Sequence, residues 1–269
     1  MASHTERNAG RKPPFKSSGK PGQKPYNRRN PEVSDDWLWG WHAVSAALAN
    51  PARPDPIRIL ATEDRAREIG KRFGSFSVVE VLDGQSIGRN LPQGAVHQGL
   101  ALRIGEPEAR SLDEYEALPG AVLLVLDQVT DPQNVGAILR SAAAFGAAGV
   151  ILQDRHAPKL TGALAKAAAG AVDLIPTTRV TNLSRALEHL SEAGWRTVGL
   201  AGQAEQTLAQ ALDSRPTVLV LGSEGDGLRR LVAEHCDDLA RIPMPGGFES
   251  LNVSAAAAVA LYETARTRS

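Results

Sequence analysis

The stretch that most constrains this chain runs from Leu124 to Leu152, LVLDQVTDPQNVGAILRSAAAFGAAGVIL. The apolar run Val122 to Leu126 reads as a buried strand. A polar turn, Asp127 to Asn134, follows. Within it Asp131-Pro132 is a helix start, with proline at the first helical position, where its missing N–H costs nothing. The helix then runs to about Phe145 and stops at Gly146. The apolar run Gly149 to Leu152 is the next strand. This is a βαβ unit, and a parallel strand pair needs such a crossover.

The same alternation continues to the C-terminus, with strands expected at 121–126, 149–152, 172–175, 196–201, 217–221 and 240–243. A last helix is expected at about 251–266. Sustained strand–helix alternation predicts an α/β domain, 121–269, with a mostly parallel sheet covered on both faces. Ahead of it, Trp37 opens a strand and a helix ended by Asn50-Pro51. A strand at Ile57 to Ala61, a charged helix at Glu63 to Phe73, and strands at Ser77 to Leu82 and Leu100 to Ile104 follow. Residues 36–104 thus read as a small α/β module. The acidic, Pro/Gly-flanked segment 105–120 reads as a linker with one short helix.

Formal charge is balanced at 30 basic and 30 acidic residues but is uneven along the chain. Residues 1–31 hold eight of the basic residues and one acid, leaving 22 basic and 29 acidic, a net of −7, in the body. Residues 1–35, poor in apolar side chains, read as a disordered basic tail, either a nucleic-acid-binding arm or a solubilising one. Cys236 is the single cysteine, which excludes an internal disulfide and a cysteine-rich zinc site and fits a reducing, cytoplasmic setting. His235-Cys236 has no spaced partners and reads as structural, as does His97 in the turn GAVHQG. No apolar run approaches membrane-spanning length, and no apolar segment behind the basic N-terminus makes it a secretory signal. Neither membrane nor metal is expected as a partner.

Three segments carry chemistry. In the opening helix, Val135, Ile138, Leu139, Ala142 and Phe145 form the buried stripe and Arg140 lies nearly opposite, where a solvated arginine is the ordinary reading. Asn134 occupies the first turn, as a cap or as part of an anion-binding helix start. The second segment, VLVLGSEGDGL (Val218 to Leu228), ends a strand in a glycine-rich loop at the sheet's carboxyl edge, where open α/β sheets bind ligands. It matches neither the dinucleotide fingerprint nor the phosphate-loop pattern. Glu224 in it is an orienting acid or a turn former. The third, RIPMPGGFESLNV followed by SAAAAVALYETA, places Ser250 as the N-cap of an Ala-rich helix, to be buried or packed on a second subunit, and Asn252 in its first turn.

In this order, DPQNVGAILRSA, LGSEGDGL and IPMPGGFESLNVSAAAA resemble the three signature motifs of the SpoU (TrmH-type) RNA ribose 2′-O-methyltransferases of the SPOUT superfamily. The resemblance covers nearly all of residues 37–269. LWGWHAV, GAVHQG and RVTNLSRAL are similar to the branch that methylates a guanosine of 23S ribosomal RNA. The resemblance implies an S-adenosylmethionine-dependent enzyme, a trefoil-knotted SPOUT domain, a homodimer, and a ribosomal-protein-like RNA-binding module at the N-terminus. It gives Asn134, Arg140, Glu224, Ser250 and Asn252 as catalytic-site residues. Leu221, Gly222, Ser223, Gly225, Ile242, Met244 and Leu251 are given as the cofactor cradle. It assigns Arg140 the role of base. A guanidinium holds its proton in proteins, which favours a phosphate clamp instead. Rival readings are methylation of tRNA or of another rRNA site, and a catalytically silent RNA-binding assembly factor.

Overall fold

The computed structural model describes Met1 and residues 36–155, 157–247 and 250–267. The basic tail expected over 1–35 lies, Met1 apart, outside the described residues.

Two sheets organise residues 36–267. The first is built from β1 (Trp37–Trp39), β2 (Arg58–Ala61), β3 (Val79–Val81) and β4 (Leu100–Arg103), in the order β1-β4-β2-β3. Strand β4 runs antiparallel to β1 and β2, and β3 lies parallel to β2. Helices α1 (Trp41–Ala49), α2 (Glu63–Phe73) and α3 (Gly84–Gly88) connect them. The expected charged helix has the bounds of α2, whereas α3 was not foreseen. Asp83 caps α3 by accepting from the Ser86 N–H at 2.8 Å. His97 is structural, its Nδ1 accepting from the Gly99 N–H at 3.2 Å.

The second sheet contains β5 (Val122–Leu126), β6 (Gly149–Gln153), β7 (Thr177–Val180), β8 (Arg196–Leu200), β9 (Thr217–Leu221) and β10 (Asp238–Ala240). All its strands are parallel, in the order β10-β8-β9-β5-β6-β7. Every residue of β5 and β9 is buried, which is why both read as unbroken apolar runs rather than as alternations. Helices α4 (Pro132–Ala144), α5 (Gly162–Ala168) and α9 (Val253–Thr267) cover one face. Helices α6 (Leu183–Glu192) and α8 (Arg230–Glu234) cover the other around Trp195. Helix α7 (Leu208–Ala211) follows β8.

Helix α4 has the expected punctuation. The Asp131 carboxylate accepts from the Gln133 N–H at 3.1 Å, Pro132 takes the first turn, and Gly146 leaves it at φ 65°. Its stripe, Val135, Ile138, Leu139 and Ala142, is fully buried, worth roughly 1.5–3 kcal/mol for each large side chain. Gly136 sets how closely α4 meets α5, since a Cβ there would lie 2.6 Å from the Leu164 carbonyl oxygen.

Two expectations fail near strand ends. The strand expected at 172–175 is a 3-10 turn, Ala171–Asp173. Ala169 and Gly170 both take left-handed backbone, φ 51° and 97°, and turn the chain before it can pair. The strand starts after Pro176, where Thr177 comes into register with Val150. The apolar run of 172–175 instead buries Val172 and leaves Leu174 exposed. The last strand lies earlier than expected, at 238–240 rather than 240–243, because Arg241 turns away to pair with Gln206 and Leu208.

The segment 105–120 is mostly exposed but is tied to the second sheet at points. It contains the short 3-10 turn Leu112–Glu114, the Arg110 N–H donates to Thr177 O, and Tyr115 is buried with its hydroxyl 3.0 Å from Thr178 Oγ1. One buried cluster runs from Leu38, Val44 and Ile59 through Leu124, Ile138 and Leu164, so the two sheets share a core. No helix among the described residues is long and apolar enough to cross a membrane. Nor is any cluster of His, Cys, Asp and Glu side chains among them arranged to hold a metal ion.

Candidate active site

The three motif segments meet at the carboxyl edge of the parallel sheet. Asn134 enters from the first turn of α4, Glu224 from the loop after β9, and Asn252 from the start of α9. Glu224 Oε1 accepts from Asn134 Nδ2 at 3.1 Å, from the Val253 N–H at 3.3 Å, and from Asn252 Nδ2. Asn252 Nδ2 also donates to Asn134 Oδ1 at 3.0 Å. The carboxylate thus sits at the N-termini of two helices, where the exposed N–H groups favour negative charge.

Asn252, not Ser250, caps α9. Its Oδ1 accepts from the Ser254 N–H at 3.0 Å and the Ala255 N–H at 3.3 Å. The helix begins at Val253, two residues later than expected, because Asn252 carries a side-chain acceptor at the position that reaches those N–H groups. Asn252 therefore caps a helix and joins the polar set at once, one oxygen serving the first role and one nitrogen the second. Ser250 lies instead on the wall of the cavity described next. Arg140 stands on the exposed side of α4 with no hydrogen-bond or ion-pair partner among the described residues.

Beside this polar set lies a cavity of about 400 Å³. Leu221, Gly222, Ser223, Gly225, Ile242, Met244 and Leu251 all line it, as does Glu224 at its rim. The loop after β9 closes on itself through paired Ser223 and Gly227 backbone bonds at 3.1 Å. This closure leaves no room for a side chain at 222, where a Cβ would lie 2.0 Å from the Gly227 carbonyl carbon. The backbone polar groups of Gly222, Ile242 and Leu251 have no partner among the described residues. The cavity therefore pairs an apolar wall with backbone donors and acceptors, the usual make-up of a small-molecule site.

The sequence reading missed two parts of this site. Leu200, Ala201, Gly202 and Gln203, at the end of β8, also line the cavity. Their signal was position, the carboxyl end of a parallel strand, but they include no residue type that stands out. The other part is Asp127, completely buried at the end of β5. It accepts from the Arg229 N–H at 2.9 Å and from Arg229 Nε at 2.7 Å, while Arg229 Nη2 donates to Gln153 Oε1 at 3.0 Å. These bonds tie the end of the glycine-rich loop to β5 and β6.

The sequence profile of the SpoU rRNA Methylase family matches residues 121–262, the span that contains all three segments. The chain belongs to that family. Among curated SpoU relatives, the 23S rRNA (guanosine-2′-O-)-methyltransferase RlmB of Photobacterium profundum is 37% identical over 249 residues, 88% of this chain and 99% of the relative. That of Yersinia pestis is 41% identical over 239 residues, covering 86% and 97%. Among solved structures, the SpoU methyltransferase AviRb of Streptomyces viridochromogenes, crystallised with AdoMet, has a TM-score of 0.74 at 25% identity and covers 86% of this chain and 89% of its own. An AdoMet-bound rRNA methyltransferase of Sinorhizobium meliloti has a TM-score of 0.73 at 26% identity, covering 86% of each chain. These likenesses extend through the first sheet as well as the SpoU portion, and they carry the same α/β fold with a mostly parallel sheet.

Cys236 serves packing, against the cluster formed by α6, α8 and Trp195. Its Sγ lies 3.3 Å from Val232 O, and burial pushes the thiol up to about 12. The thiolate is the reactive form. Labelling of the folded protein by a colorimetric thiol reagent at pH 8 is therefore expected to run about a thousand-fold slower than for free cysteine. Unfolding in guanidinium should release one reactive equivalent. Prompt labelling of the native protein would contradict this.

Proposed function

We propose that this protein is an S-adenosylmethionine-dependent RNA methyltransferase that methylates the ribose 2′-oxygen of a guanosine in 23S ribosomal RNA. The carrying observation is the joined set Asn134–Glu224–Asn252 at the rim of the cavity, with the unpartnered Arg140 on the same helix as Asn134. The near-complete coverage of the RlmB relatives supports the rRNA guanosine. The AdoMet-bound neighbours support the cofactor.

S-adenosylmethionine, when bound, supplies an electrophilic methyl group. Leu221, Gly222, Ser223, Gly225, Ile242, Met244 and Leu251 would hold it, apolar side chains against the body and backbone groups against its polar edge. Ser250, on the cavity wall, would hydrogen-bond at the cofactor–ribose boundary. The rest of the chain's work is to place the 2′-hydroxyl in line with that methyl group and to exclude water. Asn134, held by Glu224 and Asn252, presents an amide of fixed orientation to the ribose. Arg140 clamps the adjoining phosphate with two parallel N–H bonds. That clamp lowers the entropy cost of alignment, and its positive charge beside the ribose favours release of the 2′-hydroxyl proton to solvent as the oxygen takes the methyl group.

The finer architecture of the SPOUT family belongs to this proposal. Residues 36–104 act as the RNA-binding module and 121–269 as the methyltransferase domain, in the cytoplasm. After β10, at the sheet edge, the chain returns past the β9 loop to lay α9 on α4, a path that supports a trefoil knot. Val259 and Tyr262, exposed on α9, support a homodimer through that helix.

The test is to map 2′-O-methyl sites in ribosomal RNA with and without the protein, and to add purified protein back to the unmethylated RNA. Gly222→Ala, which would drive a methyl group into Gly227, is expected to lose S-adenosylmethionine binding in calorimetry and with it the transfer. A protein that binds no S-adenosylmethionine would favour the silent assembly-factor reading.

A further inference from the structure

One aromatic and basic cluster plays no part in the site above. Trp41, the first residue of α1, is partly buried against the shared core, and its indole N–H has no partner among the described residues. Its backbone N–H is held by Gln98 Oε1 at 3.2 Å. The Arg65 guanidinium lies 5.0 Å from the ring centroid, and that of Arg72 lies 5.9 Å from it and 5.4 Å from the Phe73 ring. The second domain contributes Lys166, from α5. Its Nζ donates to Val96 O at 3.2 Å and would lie 2.7 Å from a Cβ built on Gly40, the neighbour of Trp41. The cluster therefore spans the joint between the two sheets.

The charges are not equally committed. Arg65 is anchored, with Nε donating to Gln98 O at 3.2 Å and Nη1 to Glu68 at 2.6 Å. Arg72 has no carboxylate partner among the described residues, and Lys166 has only a carbonyl. Two uncompensated cations thus flank a partly buried indole on an otherwise acidic body. We propose that this surface is a docking site for a single-stranded segment of the RNA substrate. One base stacks on Trp41, and Arg72 and Lys166 contact the phosphates on either side of it.

Stacking of a base on an aromatic ring outweighs an exposed cation–π pair. A base can therefore displace Arg72, which only the rings hold, and free its guanidinium for phosphate. Arg65, anchored twice, stays and fixes the indole. Duplex RNA hides its base faces, so the occupant is unpaired. The proposal rests on the RNA methyltransferase reading and adds to it a binding surface that the methyltransferase domain completes with Lys166.

The test uses the full-length protein and a short fluorescein-labelled oligoadenylate, read by anisotropy across a salt series. Trp41→Leu is expected to weaken binding about ten-fold. Arg72→Gln and Lys166→Gln should each flatten the log–log salt slope by about 0.7, the contribution of one single-strand phosphate contact. Unchanged S-adenosylmethionine binding would show that each variant is folded. Wild-type affinity and slope in both Arg72→Gln and Lys166→Gln would overturn the proposal, whatever Trp41→Leu does. So would equally tight binding of a polyglutamate of matching charge, which would mark a site for acidic proteins. Methyl transfer to 23S rRNA by a wild-type protein that ignores the oligonucleotide would sink this surface and leave the methyltransferase reading standing. Absent S-adenosylmethionine binding with variant-sensitive oligonucleotide binding would do the reverse.

Discussion

Replacing Arg140 by lysine is expected to slow single-turnover methyl transfer to 23S rRNA by about 100-fold or more, roughly 2.7 kcal/mol of transition-state stabilisation. The charge survives the change, but the planar fork does not, and an ammonium cannot present two parallel N–H groups to one phosphate. The Arg140 side chain is exposed and has no partner among the described residues, so the fold should be unaffected and S-adenosylmethionine should bind with wild-type affinity. The pH profile separates the two roles open to this residue. A clamp loses amplitude at every pH, and the profile keeps its shape. A base would instead give the lysine variant a rate that climbs with pH toward the ordinary lysine range, near about 10.4. Near-normal transfer by Arg140→Lys at neutral pH would eliminate both roles.

Arg140 also shows what a linear sequence can and cannot convey. Its place opposite the buried stripe of α4 was legible from helical spacing, and so was the whole βαβ unit from Val122 to Leu152, because cap, proline and glycine each act within a few residues of themselves. The same spacing describes a solvated arginine and a substrate-facing one equally well. What distinguishes them is the proximity of Asn134 to Glu224 and Asn252, 90 and 118 residues away in the chain, and only the motif resemblance anticipated that. The cofactor-cradle residues named from the resemblance are brought to one cavity.

The failures have a common cause. The segment 172–175 is apolar enough for a buried strand, and only the left-handed pair at Ala169 and Gly170 prevents it. A non-glycine residue such as Ala169 gives no sign of a positive φ. Ser250 and Asn252 are both good capping types, and choosing between them required knowing which N–H groups lie within reach. Asp127 and Arg229 look like solvated turn residues until the loop after β9 folds back over the end of β5.

Asp173 bears on how the two sheets are held together, and Asp173→Ala is expected to be the most destabilising single change outside the core. The Arg53 and Asp173 side chains are 1% and 2% exposed. Arg53 Nε donates to Oδ1 at 2.6 Å and Nη2 to Oδ2 at 3.1 Å, while Nη1 donates to Gly105 O at 2.5 Å. Asn50 Nδ2 adds a bond to the same carboxylate at 2.9 Å. Every charged atom is therefore satisfied within the protein, and taking away the carboxylate strands a guanidinium where water cannot reach it. Breaking such a pair costs about 3–5 kcal/mol, which for a chain of this size lowers the melting temperature by roughly 6–20 °C. The double variant Arg53→Met with Asp173→Ala removes the stranded charge as well, and should recover most of that loss in calorimetry. A shift of only a degree or two in Asp173→Ala would refute the argument, since a solvated pair is worth no more than that. The consequence for function follows from position. Asp173 sits just after α5, the helix that carries Lys166, and Arg53 just after α1, which begins with Trp41. Loosening this bond should weaken oligonucleotide binding at temperatures where the protein is still folded, and leave S-adenosylmethionine binding untouched, because the cavity lies across the sheet at β8 and β9.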